Sequence, residues 1–338
     1  MNPPGGPSRT DKLLSGAIDF HHHGYPEVSF EMLTRMEDTD ELAIARSAGM
    51  AGIVLKSHMW PTVGRAYHLR KLVPGIEVIS SITLNFAVGG FNPLAVEAAA
   101  RQGAKVLFMP TWSAAHDIGR GGMSKYLRKY LDRAADLKPE TGLRLTDERG
   151  RVLAEVRDCL SVASDHNMSV CTGHVSPKES IALAQAAKDY GIESVVFSHP
   201  DSHSVGATRE EIRDMVQLDS YCEFCALGML PAFQRLGPGE AMEIIEEIRP
   251  ERAILTTDYF FEWAPPASET LRMLIGTFLE LGMSDSDVRL MVRDNPAKML
   301  GWDAAKIASV EHTRTAILEQ TMVNGLDSEL GRRGEAGE

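Results

Sequence analysis

The sequence predicts an α/β fold, a (β/α)8 TIM barrel, on three observations. Short apolar, β-branched runs alternate with helical patterns along most of the chain, which implies a parallel sheet with helices outside it. Eight such units fit between residues 16 and 302, close to the ~250 residues typical of this barrel. No Gly-rich phosphate fingerprint follows the first strand, which argues against a doubly wound open sheet.

The elements follow in order. Residues 1–15 are rich in Pro and Gly and read as a flexible lead-in, without the apolar segment of a secretory signal. The first strand is "GAIDFHHH" (16–23). A helix over 38–49 closes at Gly49, and "AGIVLKSH" (51–58) is the second strand. The third is "IEVISSITL" (76–84). A helix over 92–103 has Asn92 as its cap, Pro93 at its first position and Gly103 at its end. It leads to "AKVLFMPTW" (104–112), the fourth strand. The interval before the fifth, "MSVCTGH" (168–174), is about twice one βα unit. Its last helix, around 146–166, completes the fourth unit, so residues 113–145 are an insertion at the strand's C-terminal end. Barrel active sites open at that end, so the insertion is either a lid or substrate-binding element, or a surface decoration or oligomer contact. A helix over 176–191 repeats the Ser-Pro start and Gly stop. "SVVFSHP" (194–200), "SYCEFCALG" (220–228) and "RAILTTDYF" (252–260) complete the barrel, with helices over 208–217, 239–248 and 268–282. Residues 303–338 read as a weakly packed helical tail ending in disorder at "GRRGEAGE".

The composition narrows the function. The 338 residues carry a net charge of −12 and no basic run, which speaks against a nucleic-acid partner. No apolar run reaches ~18 residues, so no membrane span is expected. A cytoplasmic enzyme acting on a small molecule fits. The four cysteines are too scattered for a disulfide framework; Cys222 and Cys225 form a lone CxxC and read as buried strand thiols.

Strand alternation puts Asp19, His21 and His23 on one face and Phe20 and His22 on the other. A His-x-His pair facing a barrel interior offers two imidazoles to one metal ion. The fifth strand ends at His174, the sixth at His199 and the eighth at Asp258. Eleven histidines scattered at random would seldom gather at strand ends in this way.

HxH on strand one, His on strands five and six, and Asp on strand eight together resemble the amidohydrolase superfamily. That group of metal-dependent barrels includes the TatD-like hydrolases and the amidohydrolase-related decarboxylases. "TTDYF" is similar to a step in the latter, and "DNPAKMLGW" to a segment that often follows the last strand. The resemblance covers residues 16–302. It implies that His21, His23, His174 and Asp258 bind a divalent transition metal, with zinc the expected ion. It implies that His199 binds a second ion or stands beside the first as an acid/base or oxyanion group. Asp258 would take the proton of the attacking water. The implied reaction is hydrolysis of an amide, cyclic amide, lactone or ester. The alternatives are a non-oxidative decarboxylase or other lyase, and a small-molecule phosphoesterase. Members of the group often self-associate.

One departure bears on the metal count. Many two-metal members carry a carboxylated Lys or a Glu on strand four, and this chain has neither. Instead, Lys56 and His58 share a face at the end of strand two. Lys56 would be a carboxylated metal bridge, a cation that fixes an anionic substrate, or a residue on the helix side. Glu223 on strand seven is another carboxylate within reach.

Overall fold

A computed structural model describes residues 6–334 apart from Ser194, with side chains described as far as residue 320. Eight strands form one parallel sheet in sequence order: β1 Ile18–His23, β2 Gly52–Lys56, β3 Glu77–Thr83, β4 Val106–Phe108, β5 Ser169–Cys171, β6 Val195–Phe197, β7 Tyr221–Cys225 and β8 Ala253–Thr256. Alternation sorts their side chains into two cores. Ile79, Val106, Phe108, Val196 and Ile254 fill the barrel interior, with Ala297, Met299, Leu300 and Val310 packed against them. Ile53, Leu55, Leu107, Val170 and Leu255 face outward into the layer of surrounding helices. The fold is therefore a (β/α)8 barrel.

The barrel closes between β1 and β8, and the closure is irregular in an informative way. From Asp19 to His22, β1 takes three steps while β2 takes two, which marks a bulge in β1. Strict alternation therefore fails there. Phe20 joins the interior cluster rather than the outer face. Asp19 turns into the seam, where its carboxylate accepts from the Thr257 amide (2.9 Å), the Thr257 hydroxyl (2.6 Å) and the Thr256 hydroxyl. Past the bulge, His21 and His23 share one side, and the amides of Asp258 and His23 complete the seam by donating to His21 O and Tyr259 O. The expected placing of Asp19 beside His21 and His23 is thus corrected by one extra residue.

Three further expectations change. Part of the presumed flexible lead-in, Arg9–Leu14, is a helix capped by Ser8, with Leu13 and Leu14 buried. Residues 1–5 lie outside the described residues. The insertion is an ordered segment with helices Ala115–Arg120 and Met123–Leu127 followed by 3-10 turns. The helix after it begins only at Ala154, because Thr146 and Val152 first pair across a turn. The C-terminal helix, Ala304–Gly334, is anchored by Val310 in the barrel interior and by the Arg314 guanidinium on the carbonyls of Gly49 and Met50. Residues 335–338 lie outside the described residues. Among the described residues, no helix is long and apolar enough to cross a membrane.

Candidate metal centre

Residues far apart in sequence meet at the C-terminal mouth of the barrel. His21 Nε2 lies 3.3 Å and His23 Nε2 3.4 Å from Asp258 Oδ1. The His199 ring stacks on His21 at 5.5 Å between centroids, and His174 meets His199 edge-on at 4.9 Å. Ligating atoms of His21, His199 and Asp258 all lie within 4.8 Å of one another. Local backbone supports this convergence. Asp258 (φ +51°) and His199 (φ +27°) both hold positive φ, which L-residues adopt at a penalty of ~1–3 kcal/mol each. Gly173 (φ +64°) passes so close to β4 that a Cβ there would sit 2.5 Å from the carbonyl oxygens of Met109 and Pro110. That approach lets the His174 amide donate to Pro110 O and sets His174 at the mouth.

In all four histidines, Nδ1 is already engaged. His21 Nδ1 meets Glu223 Oε2 at 3.0 Å, His23 Nδ1 meets Glu27 Oε1 at 3.2 Å, and His174 Nδ1 meets Asp117 Oδ1 at 2.9 Å. His199 Nδ1 meets the Ser202 hydroxyl at 3.0 Å. Glu27 and Asp117 thus favour the Nδ1–H tautomer of His23 and His174 and leave their Nε2 to ligate, the arrangement that orients imidazoles around a metal, while His21 Nε2 meets Lys56 Nζ. His22 differs: its Nδ1 faces Asp19 at 3.4 Å and its ring stacks on Tyr259, outside this centre.

Burial sets the protonation states. Desolvation, aided by the neighbouring Lys56, holds His21 well below the usual imidazole range. Desolvation and His174 take His199 to about 3. Burial alone would raise Asp258, but His21, His23 and His199 outweigh it and keep the carboxylate well below its ordinary value. Neutral imidazoles beside an ionised carboxylate are what a cation needs from its ligands. Burial and Asp258 push Glu223 well above the ordinary range.

Lys56 points inward, which removes the alternative that placed it on the helix side. Its Nζ lies 2.8 Å from His21 Nε2 and 4.8 Å from the centre of the Phe108 ring. Phe108 occupies the interior end of β4 and lies tilted against His21 at 5.5 Å between centroids. Lys56 is 1% exposed, beneath His21, so it is not available to a substrate in the cleft. Burial lowers its pKa, against the opposing pull of Asp258 and Glu223.

Glu27 and Asp117 escaped sequence reasoning. Glu27 Oε1 also accepts from the amide (2.5 Å) and Nδ1 (2.8 Å) of His58, whose ring stacks on His23 at 4.4 Å. Its position four residues after His23 was the only signal for it. Asp117 comes from the insertion, and nothing in "SAAHDIG" points to His174. Cys225, on β7, places its thiol within 4.8 Å of ligating atoms of His21 and Glu223. Burial and Glu223 raise that thiol far above its usual range, so it stays protonated.

Residues 16–223 match the family described as "Family of unknown function (DUF6282)". The chain belongs to that family. No curated protein matches the sequence. Solved structures do share its fold. An amidohydrolase from Pseudomonas aeruginosa aligns at TM-score 0.60 and 12% identity, over 86% of this chain and 98% of that one. The organophosphorus hydrolase from Deinococcus radiodurans aligns at 0.54 and 13%, over 86% and 94%. A probable 2-pyrone-4,6-dicarboxylic acid hydrolase from Acinetobacter baumannii aligns at 0.51 and 14%, over 85% and 100%. At such identities the likeness establishes the barrel fold.

Proposed function

We propose that this protein is a metal-dependent hydrolase that attacks an amide, cyclic amide, lactone or ester bond of a small molecule with water. The observation that carries the reading is the set of four histidines with Nδ1 engaged, gathered around Asp258 at the barrel mouth. The fold shared with hydrolases supports it.

The residues fit a divalent transition ion. His21, His23, His174 and Asp258 would hold it, with His199 as a further ligand or a partner for the substrate oxygen. Glu223 Oε1 is buried without a hydrogen-bond partner, so Lys56 could turn to it on releasing His21 Nε2. A bound ion supplies Lewis acidity, bringing the pKa of water down to ~7 and polarising a carbonyl. The chain's own residues do the rest. Asp258 is ionised and 15% exposed, the one carboxylate of the set that reaches the cleft. It takes a proton from the attacking water as the oxygen adds to the carbonyl carbon. It returns that proton to the leaving nitrogen or oxygen as the old bond breaks. His199, neutral and stacked on His21, is placed to orient the carbonyl oxygen.

A lyase is the second reading, favoured by the end of β4, which carries Phe108 and neither Lys nor Glu. A phosphoesterase is disfavoured, because among the described residues no Arg or Lys lines the cleft. The test is turnover in water labelled with heavy oxygen by the metal-loaded protein, with and without chelator. Hydrolysis places one labelled oxygen in the carboxylate product and stops on chelation. Carbon dioxide release without label in the organic product would instead establish the lyase.

A further inference from the structure

We propose that Lys56 is an internal competitor for the metal: its side-chain amine occupies His21 Nε2 in the metal-free protein, and an ion enters by displacing it toward Glu223. This rests on the metal-centre reading above and makes occupancy of that centre a contest between an amine and an ion.

The two exclude each other at one atom. Lys56 Nζ lies 2.8 Å from His21 Nε2. An imidazole nitrogen offers one direction, in the ring plane, to a hydrogen-bond partner or to an ion. Whichever of the two nitrogens carries the hydrogen between them, that direction is taken. The same Nε2 lies 3.3 Å from Asp258 Oδ1, and ligating atoms of His21, His199 and Asp258 all lie within 4.8 Å of one another. An ion held by that group needs Nε2, because His21 Nδ1 is turned to Glu223 Oε2 at 3.0 Å.

Without an ion, the carboxylates of the centre have Lys56 as their cation. Among the described residues the only other buried Lys or Arg is Arg314, on the Gly49 and Met50 carbonyls ahead of β2. Asp258 is ionised and, with Glu223, favours a cation at Lys56 against the cost of burial. A landing place for the displaced amine is at hand. Glu223 Oε1 is buried without a hydrogen-bond partner, and the amine would satisfy it instead of being left unpaired itself.

Phe108 separates this role from that of a carboxylated bridge. Nζ lies 4.8 Å from the centre of its ring, whose negative face attracts a cation. Carbon dioxide added to Nζ would set an anion against that face.

The test is zinc affinity, by competition with a chelator, in full-length wild type, Lys56→Met and Lys56→Leu. Both variants are expected to bind zinc ~10–100-fold tighter than wild type, because neither has an amine to displace and neither keeps a positive charge beside the ion. Equal or weaker binding in both would overturn the proposal, and weaker binding would mark Lys56 as a ligand or a carboxylated bridge. Should neither variant fold, wild type decides. With heavy-nitrogen lysine, the Nζ resonance of Lys56, the one buried lysine of the described residues, is picked out by its slow hydrogen exchange. It should remain an amine nitrogen and shift in step with added zinc. A carbamate nitrogen, or a resonance that zinc does not move, would overturn the proposal. The hydrolase reading fails separately. Tighter zinc binding in the variants, with no hydrolysis of any ester, lactone or amide by loaded wild type, would remove that reading and leave the competition standing. Zinc-dependent hydrolysis by wild type, with variants that bind zinc no tighter, would do the reverse.

Discussion

Replacing Asp117 tests whether the insertion belongs to the metal centre. Its carboxylate accepts from His174 Nδ1 at 2.9 Å, from the Met123 amide at 3.0 Å and from the Ser124 amide at 2.7 Å. The side chain is fully buried, and its pKa is held down by His174 and the surrounding donors despite desolvation. Asp117→Ala leaves three donors facing a cavity. With ~1–3 kcal/mol for each buried group left unpaired, and incomplete additivity, we expect a loss of about 3–5 kcal/mol. Asp117→Asn keeps the shape and one acceptor but points an NH2 at a backbone N–H, so the loss falls to ~1–3 kcal/mol. Loosening His174 should weaken metal binding ~10–100-fold in either variant, as removal of such supporting partners does. Urea unfolding gives the stability change, and titration against a competing chelator gives the affinity. A folded Asp117→Asn protein that binds metal with wild-type affinity would show that His174 ligates without Asp117 or not at all.

Other expectations follow from the same geometry. His22→Ala should retain metal while losing ~1–2 kcal/mol of stability from its contacts with Asp19 and Tyr259, whereas His21→Ala with His23→Ala should lose metal; equal loss in all three would reject the face assignment. Burial and His23 hold His58 at about 3, against ~6.5 in the unfolded chain. Its contribution is therefore complete above ~6.5 and falls away as pH drops toward 3. Between pH 7 and pH 5, wild type should lose ~2 kcal/mol more than His58→Asn in urea unfolding; parallel pH profiles would contradict this. Gly173→Ala forces a Cβ against two carbonyl oxygens at positive φ, and thermal unfolding should register a loss of ~2–4 kcal/mol. An unchanged midpoint would show that the tight turn before His174 is not required.

The barrel and the convergence of His21, His23, His174, His199 and Asp258 were legible because both depend on period-two alternation and on strand ends. These are local properties of the sequence. Lys56 was legible only in part: alternation paired it with His58 but left open the helix side, and the structure turns it inward. Asp19 and Phe20 were not, because one bulge residue reverses the count and nothing in "IDFHHH" marks it. The supporting carboxylates were legible in proportion to their attachment. Glu223 sits on a strand and could be counted inward. Glu27 and Asp117 arrive on a loop and on an inserted helix, whose paths are fixed by tertiary packing. The lead-in hid a helix because the Ser8–Asp11 capping box lies just beyond a Pro/Gly-rich stretch.

Metal content decides whether the four histidines and Asp258 form a metal centre, and elemental analysis of untagged protein, purified without chelator and then titrated with zinc, measures it. About one or two transition-metal ions per folded chain are expected, reduced when His21 and His23 are both replaced by Ala. Correctly folded wild-type protein that takes up no ion at any accessible concentration would contradict it.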